Sequence, residues 1–497
     1  MDPSPGTLQR QASALLRVGR HGEAIDVYRR LLVAHPHQAD AWYNLGYLYK
    51  AQGRFDEALA AYQRALELGI AEPEEVHLNR AAILSDHLRQ DAAAERELRA
   101  ALALNPRYAP ALLNLGNLHE ERGERDAAIQ CYERLLEQQA SSERGHELAS
   151  EALARLAHLR PASDRNDPML AELERAALAA TNDVLRANLL FALGRALDRI
   201  ERYDEAFDAF SRANRSIGAS YDPAAVERST NALIAAFSTP AAQAPADVDF
   251  AQPLFICGMF RSGSTLLEQA LGRHRCVTPG GELDILPRFV SGPLAPFPST
   301  METAEPERAA RLANAYRTHL LRLFPQAAAS TYVTDKRPDN FRLIGLIKRL
   351  FPQAKIIHTI RHPLDNGLSI FMQHLNPAVA SYASDLRHIG HYYGQYRRLM
   401  AHWKTLYPDS ILEFDYDAFV REPEPTLRQL LGRLGLTWDP GCLDFHRLGN
   451  TVKTASYWQV RRPLYGEASG RWRRYARHLT PLREALAHAA VELPPSD

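Results

Sequence analysis

The chain has 497 residues, 59 Lys plus Arg against 59 Asp plus Glu, and 46% apolar residues. This length divides into several hydrophobic cores, and the balanced charge excludes a whole-molecule field that would steer it toward nucleic acid or anionic lipid. Four scattered cysteines (Cys131, Cys257, Cys276, Cys442) form no C-x-x-C pair, which argues against a disulfide framework or zinc ribbon, and no stretch approaches about 18 uninterrupted apolar residues.

A reducing, cytoplasmic location without a membrane anchor or secretory leader is therefore the expectation. From the N-terminus the chain repeats itself. Gly19 and Gly53, Ala24 and Ala58, and Tyr28 and Tyr62 are each 34 residues apart, the tetratricopeptide spacing. "WYNLGYLY" carries Trp42, Leu45, Gly46 and Tyr49 in the W-x2-L-G-x2-Y pattern, followed by Ala58 and Tyr62. Further units carry Ala82, Ala94 and Pro106; Leu115, Gly116, Gly123, Ala128 and Tyr132; and, in degenerate form, Gly194, Ala206, Phe210 and Ala213. Small residues let paired helices approach while aromatics fill the gap to the next pair, so Trp42, Tyr49, Tyr62 and Tyr132 are expected in the core. The concave face of such an array receives a peptide or protein.

Residues 1–237 are thus expected to form the helical repeat domain. Residues 238–253, rich in Pro, Ala and Asp, read as a linker, and 254–497 as an α/β domain. "FICGMFRSGSTLLEQAL", residues 255–271, predicts a strand through Cys257, a loop over Gly258–Ser264 and a helix from Thr265. It matches G-x-x-x-x-G-K-S/T except that Ser264 stands at the lysine position. A triphosphate loop needs that lysine and a later carboxylate for Mg²⁺. Here the cation is Arg261, and Ser262, Gly263, Ser264 and Thr265 add hydroxyl and backbone donors at a helix start, which suits a phosphate or sulfate group. "AKIIHTIRHPLDNGLSIF" predicts a second buried strand, then Arg361 and, eight residues on, Ser369 in a helix. Neighbouring strand ends in an α/β sheet converge on one crevice, so two grips imply a ligand with two separated anionic groups.

With these motifs in place, residues 254 to about 475 resemble the sulfotransferases that use 3'-phosphoadenosine 5'-phosphosulfate (PAPS), and within them the protein-tyrosine sulfotransferases. The resemblance implies a P-loop-like parallel-sheet domain in which "FRSGSTLLEQAL" holds the 5'-phosphosulfate and Arg361 with Ser369 holds the 3'-phosphate. "GGELDILPRF" is similar to the tyrosine enzymes' G-E-E stretch and implies Glu282 as catalytic base. "TDKRPDNF" implies Lys336 as the active-site lysine, and "SYWQVRRPLY" implies Ser456 as its hydroxyl partner. Tyr416 in "FDYDAFV" and Arg471 in "SGRW" correspond to nucleotide-contacting positions. The chain departs from those enzymes at Gly280 and Gly281, where a disulfide cysteine and its neighbour stand, at Asp284, where a basic residue is expected, and at Gln373, where an arginine is expected.

Sulfuryl transfer, like phosphoryl transfer, is chiefly positioning and charge stabilisation between an entering and a leaving oxygen. The implied roles are proton acceptance by Glu282 and charge neutralisation by Arg261, Lys336 and Ser456, without a metal. Taken alone, Glu282 would be a turn residue and Lys336 a solvated strand-end lysine. His358 and His362 straddle a strand end and a loop, and His388 with His391 lacks a nearby third ligand, which argues against a metal site. The basic aromatic stretch from Ser456 to Leu479 reads as a cover over an anionic ligand rather than an RNA surface. A repeat scaffold whose second half binds nucleotide without turnover is the alternative, and the acceptor could be a tyrosine, a sugar or a small metabolite.

Overall fold

The computed structural model describes residues 5–138, 142–241, 251–301, 306–448, 459–461, 464 and 466–494. In its helical region one device recurs. Gly46, in the helix Ala39–Ala51, faces Tyr62 of Phe55–Glu67; Gly116, in Ala109–Arg122, faces Tyr132 of Arg125–Leu136; Gly194, in Asp183–Arg199, faces Phe210 of Tyr203–Ile217. Each ring comes 16 residues after its glycine (62 − 46, 132 − 116, 210 − 194). A methyl group on these glycines would lie 2.8, 2.5 and 2.6 Å from the ring carbons, so only a bare backbone admits the aromatic. Tyr49, Tyr62 and Tyr132 are buried, as expected of core residues. Trp42 is half-buried and donates its indole N–H to the Pro36 carbonyl at 2.9 Å.

The chain forms two compact units, one running to residue 152 and the other from residue 153 onward, with residues 121–123 belonging to the second. In the first, helices from Pro5–Arg17 to Phe55–Glu67 share a core that includes Tyr28, Leu31, Leu45 and Tyr62. A following cluster joins Leu84, Leu98, Leu115 and Leu118.

The second unit holds the sheet together with the helix pair Asp183–Arg199 and Tyr203–Ile217. That pair is fastened to it by polar and aromatic contacts. The Asn214 side-chain amide donates to the Phe371 carbonyl at 2.8 Å, and the Phe207 ring stacks on Phe371 with centroids 5.3 Å apart. Among the described residues of the linker read at 238–253, Gln252 and Pro253 already belong to the first strand, and 242–250 lie outside the described residues.

Five strands, β1 (Gln252–Gly258), β2 (Val277–Thr278), β3 (Tyr332–Lys336), β4 (Ile356–Ile360) and β5 (Ile411–Asp415), lie in the order β2-β3-β1-β4-β5, every pair parallel. β1 is central and is buried from Pro253 to Gly258, as a strand covered on both faces must be. Its core partners include Leu267 and Leu271 of the following helix, Ile357 of β4 and Leu412 of β5. The registers Ile256↔Lys336, Gly258↔Thr359 and Ile360↔Asp415 bring the carboxyl ends of β3, β1, β4 and β5 to one edge, where a ligand crevice forms in this architecture.

Candidate functional site

The loop after β1 enters the helix Ser264–Leu271 through Gly263 at φ +97°, a conformation that L side chains rarely adopt. The Tyr416 ring, leaving the end of β5, lies so close that a methyl on Gly263 would be 2.4 Å from its Cδ2. With glycine as N-cap, no side chain caps the helix, and a helix start of this kind suits an oxyanion. Ser262, Ser264 and Thr265 are buried. The Ser262 hydroxyl is committed to Thr359 Oγ1 at 2.6 Å, and Thr359 Oγ1 donates to the Cys257 carbonyl at 3.1 Å, tying the loop to β4.

The two arginines meet. Arg361 Nη1 donates to the Arg261 carbonyl at 3.1 Å, and Arg261 Nε donates to Ser369 Oγ at 3.1 Å. Arg361 Nη2 donates to the Ala468 carbonyl at 2.5 Å, and its guanidinium carbon lies 4.8 Å from the Tyr416 ring centroid. Arg261, Gly263, Arg361, Ser369 and Tyr416 therefore form one surface. Arg361 Nε is buried with no partner among the described residues. An orphaned guanidinium N–H is costly unless something pairs with it, and an anion between these groups would do so. The donor set thus fits an anionic group such as a phosphate.

On the β3 side, Lys336 Nζ donates to Glu282 Oε1 at 2.7 Å. The lysine side chain is fully buried and the glutamate is 31% exposed, so the pair reaches from the interior to the crevice. One shell deeper, Glu268 of the loop helix accepts from the Gly281 amide at 2.9 Å and from Thr334 Oγ1 at 2.5 Å. Burial raises the Glu268 pKa against the opposing field of Lys336 and these hydrogen bonds. Beside it Asp335, also buried, accepts from Tyr316 Oη at 2.8 Å and Asn340 Nδ2 at 3.1 Å, and burial lifts its pKa to about 7.

The segment after residue 466 is pinned by two carboxylates. Asp365 accepts from the amides of Gly470 at 2.6 Å and Trp472 at 2.7 Å, and Asp417 accepts from the His362 amide and the Ser469 hydroxyl, both at 2.7 Å. The His362 ring stacks on Trp472, with centroids 5.6 Å apart and planes 11° from parallel. Arg471 turns to Asp198 of the helix Asp183–Arg199, which also accepts from Tyr475 Oη at 2.5 Å. The structure thus places Arg471 in an ion pair with a residue 273 positions earlier.

Ser456 lies outside the described residues. His358 is buried against Tyr396 and Glu413, His391 bonds Tyr221 Oη at 2.7 Å, and among the described residues no group of three His, Cys, Asp or Glu is placed for a metal ion. Residues that sequence reasoning passed over are Glu268, Thr334, Asp365 and Asp417. Only Asp365 left a local signal, two residues after a helix-opening proline.

Residues 253–440 match the model of the sulfotransferase family, and residues 10–73 and 91–156 match tetratricopeptide repeat models. An uncharacterized protein of Aquifex aeolicus (strain VF5) is 34% identical over 329 residues, 62% of this chain and 42% of that protein. Protein-tyrosine sulfotransferase 1 of Danio rerio is 25% identical over 241 residues, 44% of this chain and 65% of that one. The chain thus spans less than two thirds of either relative. A solved sulfotransferase domain from the Synechococcus PCC 7002 olefin synthase is 22% identical with a TM-score of 0.36, covering 51% of this chain and all of that one. Among the described residues, no helix is long and apolar enough to cross a membrane.

Proposed function

For a chain that joins tetratricopeptide repeats to a sulfotransferase-family domain, we propose transfer of a sulfuryl group from PAPS to an acceptor hydroxyl, with a protein tyrosine as the acceptor. The observation that carries this reading is the junction of the two anion grips: Arg361 bonds the carbonyl of Arg261, whose side chain bonds Ser369. Two cationic groups on one surface, with loop-helix amides beside them, suit a nucleotide charged at both ends. The tyrosine acceptor is supported by the name of the Danio rerio relative and by Glu282 in its glycine turn.

The nucleotide supplies an activated sulfuryl group whose leaving group is a phosphate oxygen. Glu282, partly exposed, takes the acceptor's hydroxyl proton as the new bond forms, a role worth roughly 10²- to 10⁴-fold in other enzymes. Lys336 and Arg261 neutralise charge on the departing oxygen, and Ser456 assists through its hydroxyl. Ser262, Gly263, Ser264 and Thr265 cradle the 5' end; Arg361 and Ser369 hold the 3'-phosphate, with Tyr416 and Arg471 as further nucleotide contacts. The repeats recruit the acceptor, a peptide or protein.

The test is binding followed by turnover. 3',5'-ADP should raise the melting temperature, since a ligand selective for the folded state must. Glu282→Ala should keep that shift and lose transfer of ³⁵S from labelled PAPS to tyrosine-containing protein. No shift at millimolar 3',5'-ADP, or label retained by the variant, refutes the assignment.

A further inference from the structure

The turn that presents Glu282 is fastened to the anion loop's own helix, through a side chain to which the reaction gives no direct part. Thr334 and Lys336, two apart on β3, share one face of the strand. Thr334 Oγ1 accepts from the Gly280 amide at 2.9 Å and donates to Glu268 Oε1 at 2.5 Å; the same oxygen accepts from the Gly281 amide at 2.9 Å. The backbone of Lys336 closes the ring by donating to the Gly281 carbonyl at 2.9 Å. Gly280 is pressed so tightly on β3 that a methyl there would meet the Thr334 carbonyl at 2.1 Å. Glu268 stands four residues into the helix that opens at Ser264, about 6 Å along its axis.

Two consecutive glycines would otherwise leave Glu282 on a freely pivoting hinge. A buried carboxyl is an expensive way to fill a core, since an apolar side chain of similar size needs no partners. Here it joins three things whose mutual distance decides the chemistry: the anion-binding helix, the strand carrying Lys336 and the turn carrying Glu282. We infer that Glu268 is a positioning residue, whose carboxyl sets Glu282 and Lys336 at a fixed distance from the bound donor. It touches no reacting atom.

This inference rests on the sulfuryl-transfer reading, and its test separates the two. Glu268→Gln keeps an acceptor oxygen for Gly281 and Thr334, whereas Glu268→Leu removes it. In the full chain, each variant is measured by amide exchange at Gly281, by calorimetric affinity for 3',5'-ADP, and by release of 3',5'-ADP from PAPS with an acidic tyrosine peptide as acceptor. In Glu268→Leu the Gly281 amide should lose protection, 3',5'-ADP affinity should hold within about threefold, and kcat should fall about 10²-fold, the cost of a small misplacement of reacting groups. Glu268→Gln should restore Gly281 protection and most of kcat. Adding Glu282→Ala to Glu268→Leu should lower the rate by clearly less than the product of the two single losses, because part of the Glu268 effect passes through Glu282. Equal losses of affinity and kcat, unchanged Gly281 exchange or additive effects on rate would overturn the inference. If Glu268→Leu does not fold, Thr334→Val, which removes one strut, must show the same pattern at smaller size. A wild-type chain that ignores 3',5'-ADP would refute the sulfuryl-transfer reading, while Gly281 exchange would still decide whether Glu268 holds the turn.

Discussion

Removing either member of the Glu282–Lys336 pair should have unequal consequences, because the two side chains face different surroundings. Lys336 is fully buried, and Glu282, 2.7 Å away, is 31% exposed. Glu282→Ala leaves an ammonium in the interior. Deleting one partner of a buried pair costs about 3–5 kcal/mol, which water reaching the exposed side of this pair reduces to about 1–3 kcal/mol. Lys336→Met instead keeps the stem volume and leaves a carboxylate that water can solvate, for a cost of about 0–1 kcal/mol. Losing Lys336 also removes the field that opposes the burial-driven rise of the Glu268 pKa. The double variant should therefore be more stable than Glu282→Ala alone. Urea and thermal unfolding of the four proteins in the cycle measure this. A Lys336→Met variant less stable than Glu282→Ala, or a coupling under about 0.5 kcal/mol, would refute the burial argument.

Gly263→Ala should abolish 3',5'-ADP binding, since it strains a φ of +97° and drives a methyl into Tyr416; calorimetry checks it, and adding Tyr416→Ala should not restore affinity because the backbone strain remains. Asp335, whose pKa rises from 3.8 to about 7 on folding, binds a proton in the native state across that interval that the unfolded chain releases. Its contribution therefore makes stability fall as pH climbs from about 4 to 7, and Asp335→Asn should flatten this part of the melting-temperature profile; an unchanged slope would exclude it as the source. Asp365→Ala removes two backbone anchors of the segment around Arg471, and trypsin should cut after Arg471, Arg473 or Arg474 at least about tenfold faster, the factor given by 1.4 kcal/mol of lost local stability.

The repeat pairs were legible because their physics is local: a glycine, then a ring 16 residues later, recurs along the chain. The anion loop was legible for a similar reason, since Gly263, its hydroxyl neighbours and Arg261 occupy five consecutive positions. That Arg361 would reach the loop followed from strand ends converging in a parallel sheet. Glu268 was invisible by contrast. Within "STLLEQAL" it reads as an ordinary polar residue of an amphipathic helix, and only the approach of β3 and the Gly280–Gly281 turn gives it partners. Asp417 is equally mute, because its partners His362 and Ser469 lie 55 and 52 residues away. Nor does any local pattern tie Arg471 to Asp198, whose meeting depends on helices and sheet packing together within one unit.

The helix pair Asp183–Arg199 and Tyr203–Ile217 bears on how this protein can be dissected. Its Asn214 holds the last carbonyl of the helix carrying Ser369, and its Asp198 holds Arg471 and Tyr475. A fragment that started at residue 251 would bare the Phe371 and Tyr475 rings to water and leave Arg471 without its counter-charge. One that began near residue 160 would carry those walls with it. Any graft of this sheet-bearing domain onto another carrier must therefore bring its two preceding helices along as masonry.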